Sequence, residues 1–337
     1  MHRRTLLTAA LALAAAGCAP SPATTSSAPV SPSAAPSTRA IIGLSYIPNV
    51  QFAPFYVAEA DGLFGQVEGQ VSLRHHGASE GLFNALSAGA EDFLVAAGSE
   101  AMQARAEDVD VIAVGAYYKS FPVSVIVLGS SDIRSLTDLK GRSLGVPGRY
   151  GESWLAAQVA LKTAGLTEKD VTIVEVGYTQ VAALTTEKVD AVMGFQTNEL
   201  IQLEAADAEP RALAVAPGTV PLVSTCLLTT SAYASSHPEV VRQVVAATAS
   251  GINATAADQP KAIDVSAARI PGWTAAARPN AEAVLAATVD LMALSGGSFQ
   301  PMLDAAQWQE MAAFLEDNDL IGAPVAAADA FTNDYAG

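Results

Sequence analysis

Aromatic and amide side chains are concentrated in one loop near the start of the predicted folded region, at residues 46–56. Aromatic rings on a loop offer flat faces for stacking, and the amides of asparagine and glutamine both donate and accept hydrogen bonds. Such a set is typical of a small-molecule site. The simpler interpretation, that the aromatic residues only start a core helix, is adopted for Phe55 and Tyr56. The predicted ligand contacts in this loop are Tyr46, Asn49, Gln51 and Phe52.

Short polar segments follow the next three predicted strands. Ser79 can cap a helix and still present backbone N–H groups to a ligand, while Glu80 in the first helical turn suits the helix dipole. Ser99 and Glu100 follow the third strand, and Glu100 is explained equally well by helix capping and by hydrogen bonding to a nitrogen heterocycle. Tyr117 closes the fourth strand, where its ring is expected to line a binding cleft.

A glycine-containing loop at 147–153 stands between a predicted strand and a predicted helix. Its glycines allow close backbone approach, and the N-terminus of the helix favours an anionic or polar group. The segment lacks the Gly-Lys-Ser/Thr sequence of a nucleotide-binding P-loop. The predicted contacts in this loop and in the loops after two later strands are Arg149, Tyr150, Gly151, Glu152, Ser153, Tyr178, Phe195, Gln196 and Asn198.

These loops place no nucleophile beside a general base, so we expect no catalytic residue. The chain has four histidines, of which His2 lies in the predicted leader, and this argues against a hydrolytic triad. Of the two cysteines, Cys18 also belongs to the leader region, and Cys226 in an apolar run is expected to be a buried, inert thiol. We therefore expect neither a metal site nor a cofactor.

The composition describes an acidic globular protein. Asp and Glu total 34 and Lys and Arg total 18 in 337 residues, giving a net charge of −16. An acidic surface argues against nucleic acid or an anionic membrane surface as the partner. No stretch after Cys18 has the length and apolar character of a membrane span.

The first 39 residues predict export. Residues 1–17 combine a positive start with a short apolar run and read as a signal peptide. The small residues before Cys18 resemble a bacterial lipobox, which implies lipidation of that cysteine, and residues 18–39 form an Ala/Pro/Ser/Thr-rich tether. The predicted location is the outer face of the cytoplasmic membrane, or the periplasm. The alternative is an ordinary signal peptide with an incidental cysteine, and the export route, general or twin-arginine, stays open.

From residue 40 onward, strand-like and helix-like segments alternate in two series, followed by a helix-rich third. This alternation predicts an α/β protein with mostly parallel sheets. We expect a first lobe built from 40–129 and 225–337, a second lobe from 130–224, and crossovers near 127–131 and 225–230. Ligands of open α/β sheets bind beyond the carboxyl ends of the strands, so the loops above should line a cleft between the lobes.

Two segments carry a family resemblance. Residues 43–64, GLSYIPNVQFAPFYVAEADGLF, resemble the opening of substrate-binding proteins of the THI5/NMT1-like and sulfonate/nitrate-binding group, and 138–148, DLKGRSLGVPG, resemble the start of that group's second lobe. The resemblance extends from Ile41 to at least Asn318. It implies a bilobed, type II periplasmic-binding-protein fold whose C-terminal helices pack on the first lobe. It also implies a monomer that delivers a small molecule to an ABC permease and its ATPase.

The same resemblance bears on the ligand. Pyrimidine-binding members of the group commonly carry Trp-x-Pro-Asn in the first loop, where this chain has Tyr46-Ile47-Pro48-Asn49 and is more similar to relatives linked to riboflavin uptake. The expected ligand is a planar nitrogen heterocycle, either riboflavin-like or a thiamine pyrimidine precursor. Sulfonate or nitrate-type anions are one alternative. Another is the pyrimidine-synthesising enzyme of some eukaryotic relatives, whose cysteine-rich motif this chain lacks.

Overall fold

Two five-stranded sheets organise the chain, and apolar residues, many of them β-branched, form their buried central strands. The predicted signal peptide, Cys18 and nearly all of the predicted tether lie outside the described residues, as does Ser79. The computed structural model describes residues 39–77, 80–218, 220–294 and 297–337.

Strands and helices alternate through most of the described residues, as the sequence predicts. The strands are β1 (Arg39–Leu44), β2 (Gln70–His75), β3 (Phe93–Ala97), β4 (Ile112–Ala116), β5 (Val123–Val127), β6 (Ser143–Val146), β7 (Thr172–Glu175), β8 (Ala191–Phe195), β9 (Arg211–Ala214) and β10 (Thr225–Thr229). The helices are α1 (Ala53–Ala60), α2 (Asn84–Ser87), α3 (Gly98–Ala106), α4 (Gly151–Thr163), α5 (Gln180–Thr185), α6 (Glu199–Ala205), α7 (Ser231–Ser236), α8 (Pro238–Ala257), α9 (Gln259–Ala267), α10 (Arg278–Met292), α11 (Ala305–Asp317) and α12 (Ala327–Ala330).

Proline in the first turn starts α1, α8, α9 and α10, where the missing N–H group costs no helical hydrogen bond. The helix α2 is shorter than expected. It begins at Asn84 rather than near Ser79, and it ends before Gly89, whose φ of 67° is left-handed. Within the described part of the chain, every helix is too short or too polar to cross a lipid bilayer.

The two sheets repeat one plan. In the first sheet the strand order is β2-β1-β3-β10-β4, with β1 parallel to β2 and β3, and β10 antiparallel to both of its neighbours. In the second the order is β7-β6-β8-β5-β9, and β5 is the antiparallel strand. We call each sheet with its packed helices the first and the second lobe. Each lobe thus contains one strand that arrives directly from the other lobe.

The strand β5 corrects the expected crossover. Ser124 pairs with Gly194 of β8 and with Ala214 of β9, so this strand belongs to the second lobe. The chain therefore passes between the lobes at 117–122, before the predicted crossover at 127–131. It returns at 215–224. The segment 225–230, which was expected to be the second crossover, instead forms β10. When an apolar strand is buried on both faces, its local sequence does not indicate which sheet it joins.

The helices after β10 pack back on the first lobe, as predicted. Val50, Ala53 and Val57 of the first lobe form a buried apolar cluster with residues of α9 and α10, among them Ile263 and Leu285. Elsewhere, the fully buried Trp308 of α11 stacks on Phe331 with ring centroids 5.1 Å apart. The C-terminal third is therefore part of the core of the first lobe, and it supports Val50 in the loop that follows β1.

Candidate functional site

A cavity of about 830 Å³, its opening to solvent included, lies between the two lobes. We call it the inner cavity, because its lining includes Tyr117 and Tyr118 of the segment that passes from the first lobe to the second. Most of the predicted contacts line it: Tyr46, Gln51, Phe52, Glu100, Tyr117, Tyr150, Gly151, Glu152, Ser153, Tyr178, Phe195 and Asn198.

Aromatic rings from both lobes meet at this cavity. Tyr46, at the carboxyl end of β1, approaches Tyr178 of the second lobe, with ring centroids 4.3 Å apart and planes tilted by 59°. Burial is the main cause that raises the pKa of both phenols, so both stay protonated and uncharged. Deeper in the first lobe, Tyr117 donates its hydroxyl hydrogen to the backbone oxygen of Gln51 at 2.7 Å. This bond ties the first loop to the floor of the cavity and orients the Tyr117 ring.

Amide side chains connect the lobes directly. Gln51 Nε2 donates to Thr197 Oγ1 at 3.1 Å, and Asn49 Nδ2 lies 3.4 Å from Asn198 Oδ1. The Asn49 side chain also accepts the backbone N–H of Gln51 at 3.0 Å and so fixes the turn that starts at Val50. These contacts join the two lobes across the cleft, and the structure is therefore the closed form of a two-lobed molecule.

Two carboxyl groups from opposite lobes face each other in the inner cavity. Glu100 Oε2 accepts the backbone N–H of Ala97 at 2.8 Å, and the carboxyl group also accepts the backbone N–H of Glu152 in the second lobe. Gly151 allows this approach: its φ is 81°, and a Cβ there would lie 3.1 Å from Glu100 Oε1. Glu152 in turn accepts the hydroxyl hydrogen of Ser224 at 2.7 Å. Glu100 thus caps its helix and lines the cavity at once.

Burial governs the charge of this pair. Desolvation raises the pKa of Glu100 to about 7, against the hydrogen bonds from Ala97 and Glu152. Desolvation, with repulsion from Glu100, raises the pKa of Glu152 to about 8. Near neutral pH the pair therefore holds at least one proton that both groups would lose in water. A protonated carboxyl both donates and accepts, which suits a ligand with alternating ring nitrogens and carbonyl groups.

A third buried carboxylate was missed by the sequence reasoning. Glu199 accepts the backbone N–H of Phe195 and an amide hydrogen of Asn198, each at 2.8 Å, and burial raises its pKa. Its only sequence signal was its place after a strand-end loop. The other lining residues that were not predicted are Ser45, Leu82, Ala96, Ala97, Tyr118, Pro147, Gln180 and Thr225. Most are small or apolar residues, which carry no chemical signal.

Two predicted charged residues point to other partners. Glu80 pairs with Arg74 at 2.5 Å, and neither lines the inner cavity. Arg149 pairs with Glu168 and Glu175 on the surface of the second lobe. Both predictions assumed that a charged loop residue points into the cleft, but each charge finds an opposite charge on its own lobe.

Three predicted polar residues also lie outside the inner cavity. Ser99 is fully buried behind it, and its hydroxyl has no hydrogen-bond partner among the described residues. Gln196 is exposed, while its backbone N–H donates to Pro122. Asn49 lies one layer further out, beside a second cavity. Ser79 lies outside the described residues.

Within the described ranges, no group of three or more His, Cys, Asp or Glu side chains is arranged to hold a metal ion. Cys226 is buried in β10, as predicted, and desolvation raises the pKa of its thiol. The aromatic side chains that line the inner cavity can stack on a flat ring, and its polar side chains can exchange hydrogen bonds with that ring.

Known proteins are similar to this chain in sequence and in fold. The sequence model of the family described as NMT1/THI5 like matches residues 49–262. The chain is 31% identical to the riboflavin-binding protein RibY of Chloroflexus aurantiacus over 94% of this chain and 92% of that protein. It is 25% identical to the formylaminopyrimidine-binding protein of Halalkalibacterium halodurans over 86% of this chain and 88% of that protein.

Two further comparisons are more limited. The 4-amino-5-hydroxymethyl-2-methylpyrimidine phosphate synthase of Legionella pneumophila is 23% identical over 50% of this chain and 52% of that protein. The alkanesulfonate-binding protein SsuA of Xanthomonas axonopodis pv. citri superposes with a TM-score of 0.67 at 22% identity, covering 89% of this chain and 99% of that one. This likeness confirms the predicted bilobed periplasmic-binding-protein fold. Since the family model spans more than half of the chain and the Chloroflexus relative aligns along nearly all of it, the chain belongs to the NMT1/THI5-like family.

Proposed function

We propose that the chain is an extracytoplasmic solute-binding protein that captures riboflavin, or a closely similar planar nitrogen heterocycle, in the inner cavity. The observation that carries this proposal is the closed cleft in which Tyr46 and Tyr178 of opposite lobes meet beside the paired carboxyl groups of Glu100 and Glu152. The rings provide stacking faces, and the carboxyl groups provide a donor and an acceptor for ring nitrogens and carbonyls. Two relatives, a riboflavin-binding protein and a formylaminopyrimidine-binding protein, support the same ligand class.

Charge argues against the anionic alternative. The described residues that line the inner cavity include three glutamates and no lysine, arginine or histidine. A sulfonate or nitrate in this cavity would lose its water of hydration without finding a compensating cation among the described lining residues, which costs binding free energy. A neutral ring meets no such penalty.

The wider role follows from the family. Binding proteins of this fold close on a solute and present it to a membrane permease, so we assign this chain an ABC permease and its ATPase as partners. We also propose that it acts as a monomer, that Cys18 carries a lipid, and that residues 19–38 tether the folded part to the membrane surface. We propose binding without catalysis, since the Legionella synthase aligns with only 50% of the chain, whereas the two binding proteins align with 94% and 86% of it.

Ligand-dependent stabilisation tests the proposal. The purified protein is unfolded thermally in the presence of riboflavin, the thiamine pyrimidine or an alkanesulfonate, each in large excess. At about 100 times its dissociation constant a ligand adds about 2.7 kcal/mol to the free energy of unfolding, so riboflavin should raise the midpoint by about 5 °C. Stabilisation by the pyrimidine alone would move the assignment to the smaller ring. Stabilisation by the sulfonate alone would contradict the proposal.

A further inference from the structure

A second cavity lies beside the inner one, and both Asn49 and Asn198 line it. It encloses about 610 Å³ with its opening, and we call it the outer cavity. Consecutive parts of the same loop line the two cavities, with Gln51 and Phe52 facing the inner one and Pro48 to Val50 the outer one. Asn198 lines both. The two cavities are therefore neighbours that meet at Asn198, whose side chain contacts Asn49.

The separating contact is weak. Asn49 Nδ2 and Asn198 Oδ1 are 3.4 Å apart, beyond the usual range of an N–H···O hydrogen bond. Asn198 Oδ1 has a better donor in Gln202 Nε2, at 2.8 Å. Parting Asn49 from Asn198 therefore costs little, and a ligand that fills the inner cavity can extend between them.

The chemistry of the outer cavity differs from that of the inner one. Its described lining includes four amide side chains and the indole of Trp273, but no charged side chain. The amides are Asn49, Asn198, Gln202 and Asn280. Amides exchange hydrogen bonds with hydroxyl groups in either direction, and an indole face packs against the C–H groups of a sugar-like chain. A phosphate or carboxylate would find no cation here.

One amide oxygen in the outer cavity is available to accept a hydrogen bond from a ligand. The Oδ1 atom of Asn280 is buried and has no hydrogen-bond partner among the described residues. A buried unpaired carbonyl oxygen costs free energy, and a ligand hydroxyl that donates to it recovers that cost. Because Asn280 belongs to the first lobe and Gln202 to the second, a group bound between them also favours the closed form.

We propose that the outer cavity binds a neutral, polyhydroxylated tail of the ligand whose flat ring occupies the inner cavity. This inference rests on the proposed function and narrows it. Riboflavin has such a tail, whereas the pyrimidine ligands lack one, so the outer cavity distinguishes between the two ring classes.

Titration with riboflavin and with lumichrome, which has the same ring system without the tail, tests the inference in the full protein. We expect riboflavin to bind about tenfold or more tightly than lumichrome. Asn280→Ala should weaken riboflavin binding about three- to tenfold, the range for one hydrogen bond, and leave lumichrome binding unchanged. Ala277→Phe, which fills the outer cavity, should have the same selective effect. Ala276→Phe, at an exposed neighbour outside the lining, is the control.

The outcomes separate this inference from the proposed function. Equal affinity for the two compounds, or equal weakening of both by Asn280→Ala and Ala277→Phe, would overturn the assignment of the tail and leave the ring site standing. Absence of binding of both compounds by the unmodified protein would overturn the proposed flavin ligand, and this inference with it. Thermal unfolding of each variant without ligand verifies that it is folded.

Discussion

At the scale of single residues, the inner cavity is defined by acids that burial keeps protonated. Glu100 and Glu152 come from opposite lobes. Glu100 accepts the backbone N–H of Glu152, and Glu152 accepts the hydroxyl hydrogen of Ser224. When the lobes part, water reaches both carboxyl groups and their pKa values fall toward the ordinary value near 4.5. Closure near neutral pH is therefore expected to take up protons.

This pair predicts a pH-dependent stability, of which Glu152→Gln removes the part that comes from Glu152. The unfolded chain loses these protons near pH 4.5, while the folded protein keeps them up to about pH 7 and 8. Between those values the folded state binds more protons, so its free energy of unfolding falls as pH rises. Glu152→Gln should melt about 2–6 °C higher than the original protein at pH 8.5 and within about 1 °C of it at pH 5.

Melting temperatures measured by circular dichroism across this pH range provide the check. The exposed Glu204→Gln removes the same charge outside the cavity and serves as the matched control. Parallel loss of stability with pH in the original protein and in Glu152→Gln would refute the assignment of a raised pKa to Glu152.

At the scale of elements, the first turn of α3 depends on a close approach to the C-terminal helices. Gly98 starts α3 directly after β3, and a Cβ at this position would lie 2.6 Å from Val223 Cγ1 and 2.9 Å from the Trp308 ring. The segment that returns from the second lobe and the buried tryptophan of α11 both press on this turn. Their packing places Glu100 at the cavity wall.

Gly98→Ala should therefore destabilise the fold by about 1–3 kcal/mol, because overpacking forces buried side chains out of their preferred positions. Chemical denaturation measures the change in the free energy of unfolding. Gly65→Ala is the matched control, since a Cβ there meets nothing within 4 Å and the residue has no positive φ, so its effect should be near zero. Recovery of much of the loss in Gly98→Ala/Trp308→Phe would identify the tryptophan as the obstacle. Equal effects of the two single alanine variants would disprove the packing argument.

At the scale of the whole molecule, function depends on the balance between open and closed forms. The Gln51–Thr197 hydrogen bond joins the lobes, yet Thr197 does not line either cavity. A ligand shifts the balance only through its different affinity for the two forms. Side chains that bridge the lobes therefore influence affinity without touching the ligand.

Thr197→Ala should weaken riboflavin binding about two- to tenfold by removing one bond of the closed form. Small-angle scattering should show a larger radius of gyration for the ligand-free variant than for the original protein, and the same radius for both with saturating riboflavin. Thr185→Ala removes a hydroxyl that bonds only within α5 and is the control. Unchanged affinity and unchanged scattering in Thr197→Ala would show that this bond does not hold the lobes together.

The sequence by itself determined the fold class and the loops that line the cleft, and its family resemblance implied the packing of the C-terminal helices. The first two features follow from local pattern: alternating strands and helices define an α/β fold, and strand-end loops converge wherever parallel strands share an edge. Tyr46, Gln51, Tyr150 and Tyr178 were found in this way. Local pattern suffices because the chemistry of these residues is visible in their type.

Only the tertiary structure decided which side chains meet. It showed that β5 belongs to the second sheet, that Arg149 pairs with carboxylates of its own lobe, and that Glu100 contacts the start of α4. Pairing of distant strands, choice of charge partner and loss of solvation depend on residues far apart in the chain, and no short segment encodes them. For the same reason the raised pKa values of the carboxyl pair, and the second cavity beside it, emerge only when both lobes are in place.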